Sequence, residues 1–328
     1  MLLPIAAIIV GFVILVWGAD RFVMGAAALA RNLGVAPLLI GLTVVGFGTS
    51  APEVLVSSMA ALQGNPGLAI GNAVGSNIAN IGLILGVTAL TAPLIYKSDV
   101  LRYEYPLLLG VSVAVYLMLM DGELGRIDGV LLSIGLLGTL YLLVRIGRQR
   151  AAAGTEPLID EFDAEIRSDL STFASLMWTF AGLALLLLSS RMLVWGAVEI
   201  ATEFGVSDLI IGLTIVAIGT SLPELAAGIA SALKGEHDIA VGNVIGSNLY
   251  NLLAVLAVPG LLAPTAVASE VLTRDIPVML ALTVAVFLLG RDRKGGGHIN
   301  RLQGSLLLLS FLAYQGWLYL QATATLPA

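Results

Sequence analysis

The sequence predicts an all-α polytopic membrane protein of ten transmembrane helices, built as two inverted five-helix repeats. Three observations carry this. Hydrophobic residues make up 58% of the 328 and charged residues only 12%, with a mean hydropathy of +0.97. A soluble chain averages roughly 45–50% apolar residues and about 25% charged ones. Apolar runs of membrane-spanning size recur along the chain, and the second half repeats the polar punctuation of the first at a constant shift of 171 residues.

A hydrocarbon core about 30 Å thick takes roughly 20 mostly apolar residues per helix. In order, such runs lie near 2–22, 36–62, 68–91, 103–120, 127–146, 172–195, 207–233, 239–262, 276–290 and 302–320. The ninth is short, and the second and seventh are over-long. A half-span re-entrant loop near Pro52 or Pro223 is the weakest alternative in this count. The opening Met-Leu-Leu-Pro lacks a basic leader and a small-residue cleavage site, so the first run reads as a mature helix.

Between the fifth and sixth runs, residues 147–170 are polar and include Asp160, Glu161, Asp163, Glu165 and Asp169. A solvated cytoplasmic linker is the expected reading of this stretch, with a regulatory calcium site as the alternative. The chain therefore divides into a first repeat at 1–146, a linker at 147–170 and a second repeat at 171–328. Placing the N-terminus outside puts 13 of the 16 Lys and Arg residues on the cytoplasmic side, leaving Arg126, Arg191 and Arg274 outside or near it. That is the bias of inserted membrane proteins, and it leaves both termini outside. The short connections suggest a prokaryotic inner-membrane protein.

The composition also excludes. Net charge is −6 with no basic stripe, so nothing points to nucleic acid. With no cysteine, disulfides and thiolate metal sites are excluded, and His237 and His298 fall in polar connections. No cofactor and no obligate protein partner are implied.

The repeat is specific. Gly41-Leu-Thr43 falls on Gly212-Leu-Thr214, Gly48-Thr-Ser-Ala-Pro-Glu53 on Gly219-Thr-Ser-Leu-Pro-Glu224, and Gly75-Ser-Asn-Ile-Ala-Asn80 on Gly246-Ser-Asn-Leu-Tyr-Asn251. Over 38–80 against 209–251, 21 of 43 positions are identical without a gap. Five spans per half is an odd number, so the second half enters the membrane upside down. Many secondary transporters are organised in this way, with their sites at the repeat interface.

Glu53 and Glu224 lie inside apolar runs, where an ionised side chain costs at least a few kcal/mol and marks a candidate functional site. No Lys or Arg sits at a matching depth, so a cation from solution is the natural counter-charge. Pro52 and Pro223 precede them. Read as helix-interior prolines, they free the carbonyls of Gly48 and Gly219, and such carbonyls hold cations in broken transporter helices. Thr49 with Glu53, Ser76 with Asn80, Thr220 with Glu224 and Ser247 with Asn251 are each four apart and share a helix face. Together they offer only oxygen ligands and two negative charges, which suits calcium or two sodium ions better than zinc or copper. Gly71, Gly75, Gly242 and Gly246 read as close-packing positions, and Asp20 and Arg191 as interfacial charges.

At these residues the chain resembles the sodium/calcium exchanger branch of the calcium/cation antiporter superfamily. Its alpha-repeats match about 37–86 and 208–257. The resemblance implies Na⁺/Ca²⁺ antiport by alternating access, without enzymatic activity. It implies a calcium site from Glu53, Glu224 and the carbonyls of Thr49 and Thr220. Flanking sodium sites would use Ser50, Ser76, Ser221 and Ser247 with the carbonyls of Gly46 and Ala217, and Asn80 and Asn251 would border the centre. Some relatives carry aspartate at the position of Asn251; its absence here argues against potassium co-transport. A proton-coupled calcium or manganese antiporter is the alternative, and an intramembrane enzyme or a passive channel is a weaker one.

Overall fold

A computed structural model of the chain describes residues 2–33, 50–96, 104–152, 170–233, 235, 237–290 and 297–324. The described chain is mostly helical. Helix α1 is Leu2–Asn32, α2 Ala51–Leu62, α3 Pro66–Thr91, α4 Tyr105–Met118, α5 Arg126–Ala152 and α6 Thr172–Phe204. Then come α7 (Asp208–Thr220), α8 (Leu222–Leu233), α9 (237–262), α10 (Val271–Leu289) and α11 (Arg301–Ala324). Four short strands intervene: β1 (Leu94–Tyr96), β2 (Glu123–Leu124), β3 (Thr265–Ala266) and β4 (Gly297–Ile299).

The sequence shift is reproduced in the elements. Ala51–Leu62 recurs as Leu222–Leu233, Pro66–Ala79 as His237–Tyr250, and Tyr105–Met118 as Ile276–Leu289, each 171 residues later. The irregularities recur too. Helix α3 widens into a π-helical turn at Asn80–Leu85, and α9 widens at Asn251–Val255. Such turns misalign the regular i→i+4 ladder and are frequent at functional positions.

Among the described residues, six helices are long and apolar enough to cross a membrane, and the bent pair α7–α8 makes a seventh. Helices α2 and α4, at 12 and 14 residues, are shorter than a span by themselves; of the runs expected there, 36–62 has its first part outside the described residues, whereas 103–120 lies within them but for residue 103. Helix α5 extends to Ala152, six residues into the expected linker, whose remainder at 153–169 also lies outside them. His237 is the first residue of α9 and His298 lies in β4, so neither stands in an irregular connection.

Burial sorts the helices. In their most apolar stretches α3 is 83% buried and α9 78%, whereas α1, α5 and α6 are 35%, 17% and 22% buried, so α3 and α9 form the centre. Helices α1 and α6 run antiparallel and close. A side chain on Gly25 would meet the backbone N of Thr179 at 2.6 Å, and one on Gly18 would meet Leu185 at 3.0 Å. One on Gly196 would meet the carbonyl of Pro4 at 2.8 Å. Small residues permit this approach where lipid supplies no hydrophobic drive between helices.

Strands tie the halves at two places. β1 pairs antiparallel with β4, Leu94 opposite Ile299, and β2 pairs antiparallel with β3, Glu123 opposite Ala266. Each pair takes one strand from each half. Helix α10 is fastened to α11 by a buried ion pair. Arg274 donates from Nε and Nη2 to Asp275 at 2.6 and 3.1 Å, and also to Gln321. The Tyr314 hydroxyl donates to Asp275 at 2.8 Å. Satisfying every partner is what makes a buried pair tolerable.

Candidate cation site

Glu53 and Glu224 occupy equivalent places, the third residue of α2 and of α8. Pro52 and Pro223 are therefore the second residues of their helices, not interior breakers. There the missing N–H costs nothing, because first-turn donors have no intrahelical partner. The break expected from the prolines is found one residue before each helix. Ser50 and Ser221 have φ/ψ of −89°/3° and −88°/7°, and α7 and α8 meet at a 40° bend. Each carboxylate thus lies at a helix N-terminus, where the partial positive charge favours it.

Both carboxyl groups are fully buried. One carboxylate takes its hydroxyl partner from the other half and the other from its own. Ser221 Oγ donates to Glu53 Oε1 at 3.4 Å, and Ser247 Oγ to Glu224 Oε1 at 3.3 Å. The π-helical turn of α9 packs on α2, and that of α3 packs on α8. Asn80 Nδ2 donates to Asn248 Oδ1 at 2.9 Å, which joins α3 to α9.

A set of oxygens in this region is buried and has no hydrogen-bond partner: Glu53 Oε2, Glu224 Oε2, Ser50 Oγ, Asn77 Oδ1, Asn80 Oδ1 and Asn251 Oδ1. Each such group costs about 1–3 kcal/mol of desolvation when left unpaired. Among the described residues neither carboxyl has a cationic side chain as partner; the ion pairs are Arg21–Asp20 and Arg274–Asp275. Two carboxylates with neutral hydroxyl and amide oxygens form a hard, all-oxygen donor set. That is the chemistry of sodium and calcium.

Of the expected residues, Glu53, Glu224, Ser50, Ser76, Ser221, Ser247, Asn80, Asn251 and Thr220 are all buried, on the central helices or at their breaks. Ser76 Oγ donates to Asn72 Oδ1 at 3.5 Å. The Ala217 carbonyl accepts from the Ser221 N–H at 3.2 Å and lies 3.4 Å from Thr220 Oγ1. Thr49 and Gly46 lie outside the described residues. Gly71 and Gly75 do pack closely, since side chains there would meet Gly212 Cα at 3.0 Å and Ala217 Cβ at 2.8 Å; Gly242 and Gly246 do not, with Glu104 Oε2 at 3.9 Å from the first and nothing within 4 Å of the second among the described residues. Asp20 is exposed beside Arg21 at 3.6 Å, and Arg191 borders a surface groove with Trp195, in keeping with interfacial roles. The sequence reading passed over Asn72, Asn77 and Asn248, although all three belong to the duplicated motifs. It also missed Phe12 of α1, whose ring lies against Gly219.

Comparison with known proteins decides the family. The family model described as sodium/calcium exchanger protein matches residues 3–145 and 174–320. The chain belongs to this family. It is 48% identical over 319 residues to the putative antiporter CaxA of Alkalimonas amylolytica, covering 97% of this chain and 99% of that protein. It is 44% identical over 319 residues to the inner membrane protein YrbG of Escherichia coli K12, covering 97% and 98%. A solved structure of the sodium-calcium exchanger NCX_Mj superposes with a TM-score of 0.61 at 30% identity over the full length of both chains. The family members are membrane transporters, and this chain shares their fold.

Proposed function

We propose that the protein is a secondary antiporter exchanging Na⁺ for Ca²⁺ by alternating access, with Glu53 and Glu224 at the centre of one shared site. The observation that carries this is the buried pair itself. Two carboxylates from equivalent first turns are buried, each with an unpaired oxygen, and without a cationic side-chain partner among the described residues. Their charge of −2 matches one Ca²⁺ or two Na⁺. Thr220 and Thr49 would add carbonyl oxygens. Ser50, Ser76, Ser221, Ser247, Asn80 and Asn251, with the carbonyls of Gly46 and Ala217, would complete the sodium positions. The Ala217 carbonyl would have to exchange its present hydrogen bonds for an ion.

The same reading takes the chain as ten spans in two inverted halves, 1–146 and 171–328. They are joined by a cytoplasmic linker at 147–170, and both termini lie outside in a bacterial-type inner membrane. The strand pairs support it. Six of the ten proposed spans separate β1 from β4 and four separate β2 from β3. Both numbers are even, so each pair joins connections on one face of the membrane. The NCX_Mj likeness and the family match support sodium as the coupling ion. No protein partner or resident cofactor enters the scheme; the ions are substrates.

The same carboxyl pair could instead alternate between protonated and metal-bound forms, giving proton-coupled calcium or manganese exchange. Radioactive calcium uptake into proteoliposomes separates the two readings. An outward sodium gradient at clamped pH is expected to drive uptake, and a pH gradient without sodium is expected to drive none. Uptake on the pH gradient alone overturns the sodium reading.

A further inference from the structure

Asn72 is fully buried in α3, and its amide is engaged on every side. Nδ2 donates to the backbone carbonyl of Glu53 at 3.2 Å and to Ser57 Oγ at 3.0 Å, both in α2. Oδ1 accepts from Ser76 Oγ at 3.5 Å within α3. It also accepts from Thr220 Oγ1 at 3.2 Å, at the end of α7 in the other half. The orientation of the amide follows from its partners. A carbonyl only accepts, so the nitrogen must face Glu53 and the oxygen must face Thr220. Thr220 has one proton to give, and the Val216 carbonyl lies within its reach at 3.1 Å. Asn72 Oδ1, an acceptor on α3, competes with that intrahelical carbonyl for the proton.

The repeat makes this arrangement one-sided. The counterpart of Asn72 is Asn243, whose Nδ2 is buried without a hydrogen-bond partner. The counterpart of Ser57 is Gly228, which offers no hydroxyl. One carboxylate-bearing helix is therefore held by two hydrogen bonds from an asparagine that also accepts from the other half, while the other helix lacks the hydroxyl acceptor equivalent to Ser57.

We infer that Asn72 is a positioning residue of the cation site, a clamp that holds the first turn of Glu53 against the end of Thr220's helix across the two halves. The inference rests on the proposal that Glu53 and Thr220 belong to the calcium site. Asn72 need not touch the ion. It fixes the distance between two groups that must meet the ion together, so its loss weakens binding more than it slows turnover.

The test measures sodium-driven calcium uptake for the native protein, Asn72→Ala, Thr220→Val and the double variant. Thr220→Val keeps the carbonyl and removes only the hydroxyl. Asn72→Ala is expected to raise half-saturating calcium roughly tenfold, as loss of one or two buried hydrogen bonds implies, while the maximal rate stays within about twofold. The double variant is expected to resemble Asn72→Ala, because partners in one network do not add. Half-saturation within twofold of native, a loss confined to the maximal rate, or fully additive effects each overturn the clamp. If Asn72→Ala does not fold, Thr220→Val and Ser57→Ala each remove one of its bonds, and unchanged half-saturation in both overturns it equally. A native protein that moves no calcium on a sodium gradient overturns the exchanger proposal instead. The clamp is then judged by thermal stabilisation with calcium chloride alone, which Asn72→Ala must weaken and which sinks the inference if undiminished.

Discussion

Glu53→Gln is the most direct perturbation of the site. The side chain keeps its length and an oxygen that can still accept from Ser221 Oγ, now 3.4 Å from Oε1. What disappears is one unit of negative charge. A calcium–oxygen distance of about 2.4 Å and an effective dielectric near 20 give about 14 kcal/mol of gross attraction between Ca²⁺ and one carboxylate. Most of that is offset, because a buried charge and a hydrated ion both lose water on binding. Close charge pairs retain roughly 1.5–7 kcal/mol in practice, and a mid-range value of about 4 kcal/mol corresponds to roughly a thousandfold weaker calcium binding. The assay is radioactive calcium binding and sodium-driven uptake in proteoliposomes, with size-exclusion behaviour and circular dichroism as the check on folding. Glu224→Gln is expected to act alike. A folded Glu53→Gln protein that exchanges calcium with half-saturation within threefold of native refutes the shared-site argument.

The other expectations concern coupling and packing. Exchange by the native protein is expected to be independent of potassium, measured as calcium flux at several potassium concentrations. Asn251→Asp, which adds a third carboxylate to the set, is expected to introduce potassium or proton sensitivity, since the extra acid must either pair with a cation or stay protonated. Gly75→Val drives a side chain into α7, where Leu213 Cα and Ala217 Cβ stand 2.7 and 2.8 Å from the added Cβ. A loss of about 1–3 kcal/mol is expected from overpacking, read as a lower thermal midpoint in detergent, whereas Gly110→Ala, with nothing within 4 Å, should be neutral or stabilising. Asp275→Asn strands the buried Arg274 charge and is expected to cost about 3–5 kcal/mol. Replacing both partners with apolar residues is expected to recover much of that midpoint.

The order of helices and the two acidic centres were legible because lipid imposes a harsh rule: a carboxylate in an apolar run needs a reason, and a second one at a constant shift doubles the signal. Pro52 and Pro223 marked the right places for a different cause. They open helices α2 and α8, and the chain turns at Ser50 and Ser221, whose φ/ψ no periodicity displays. The π-helical turns at Asn80 and Asn251 left no trace in the sequence beyond the asparagines themselves, because a widened turn depends on what packs against it. Asn72 was visible as a repeated letter. Its role was not, since the partners come from α2 and α7, 15 and 148 residues away. The strand pairs escaped for the same reason: two or three residues of β structure carry no detectable alternation.

Those strands bear on how the protein is made. Leu94 must find Ile299, about 200 residues further along the chain. A ribosome adding roughly 5–20 residues per second delivers that partner some ten to forty seconds after β1 has emerged. Through that interval the first half sits in the bilayer with its strand edge open, and for the earlier part of it α1 lacks α6 and the site lacks α8 and α9. A nascent chain halted after residue 146 should therefore be a substrate for membrane quality control, and the last helix to be inserted is the one that releases the whole molecule from that surveillance.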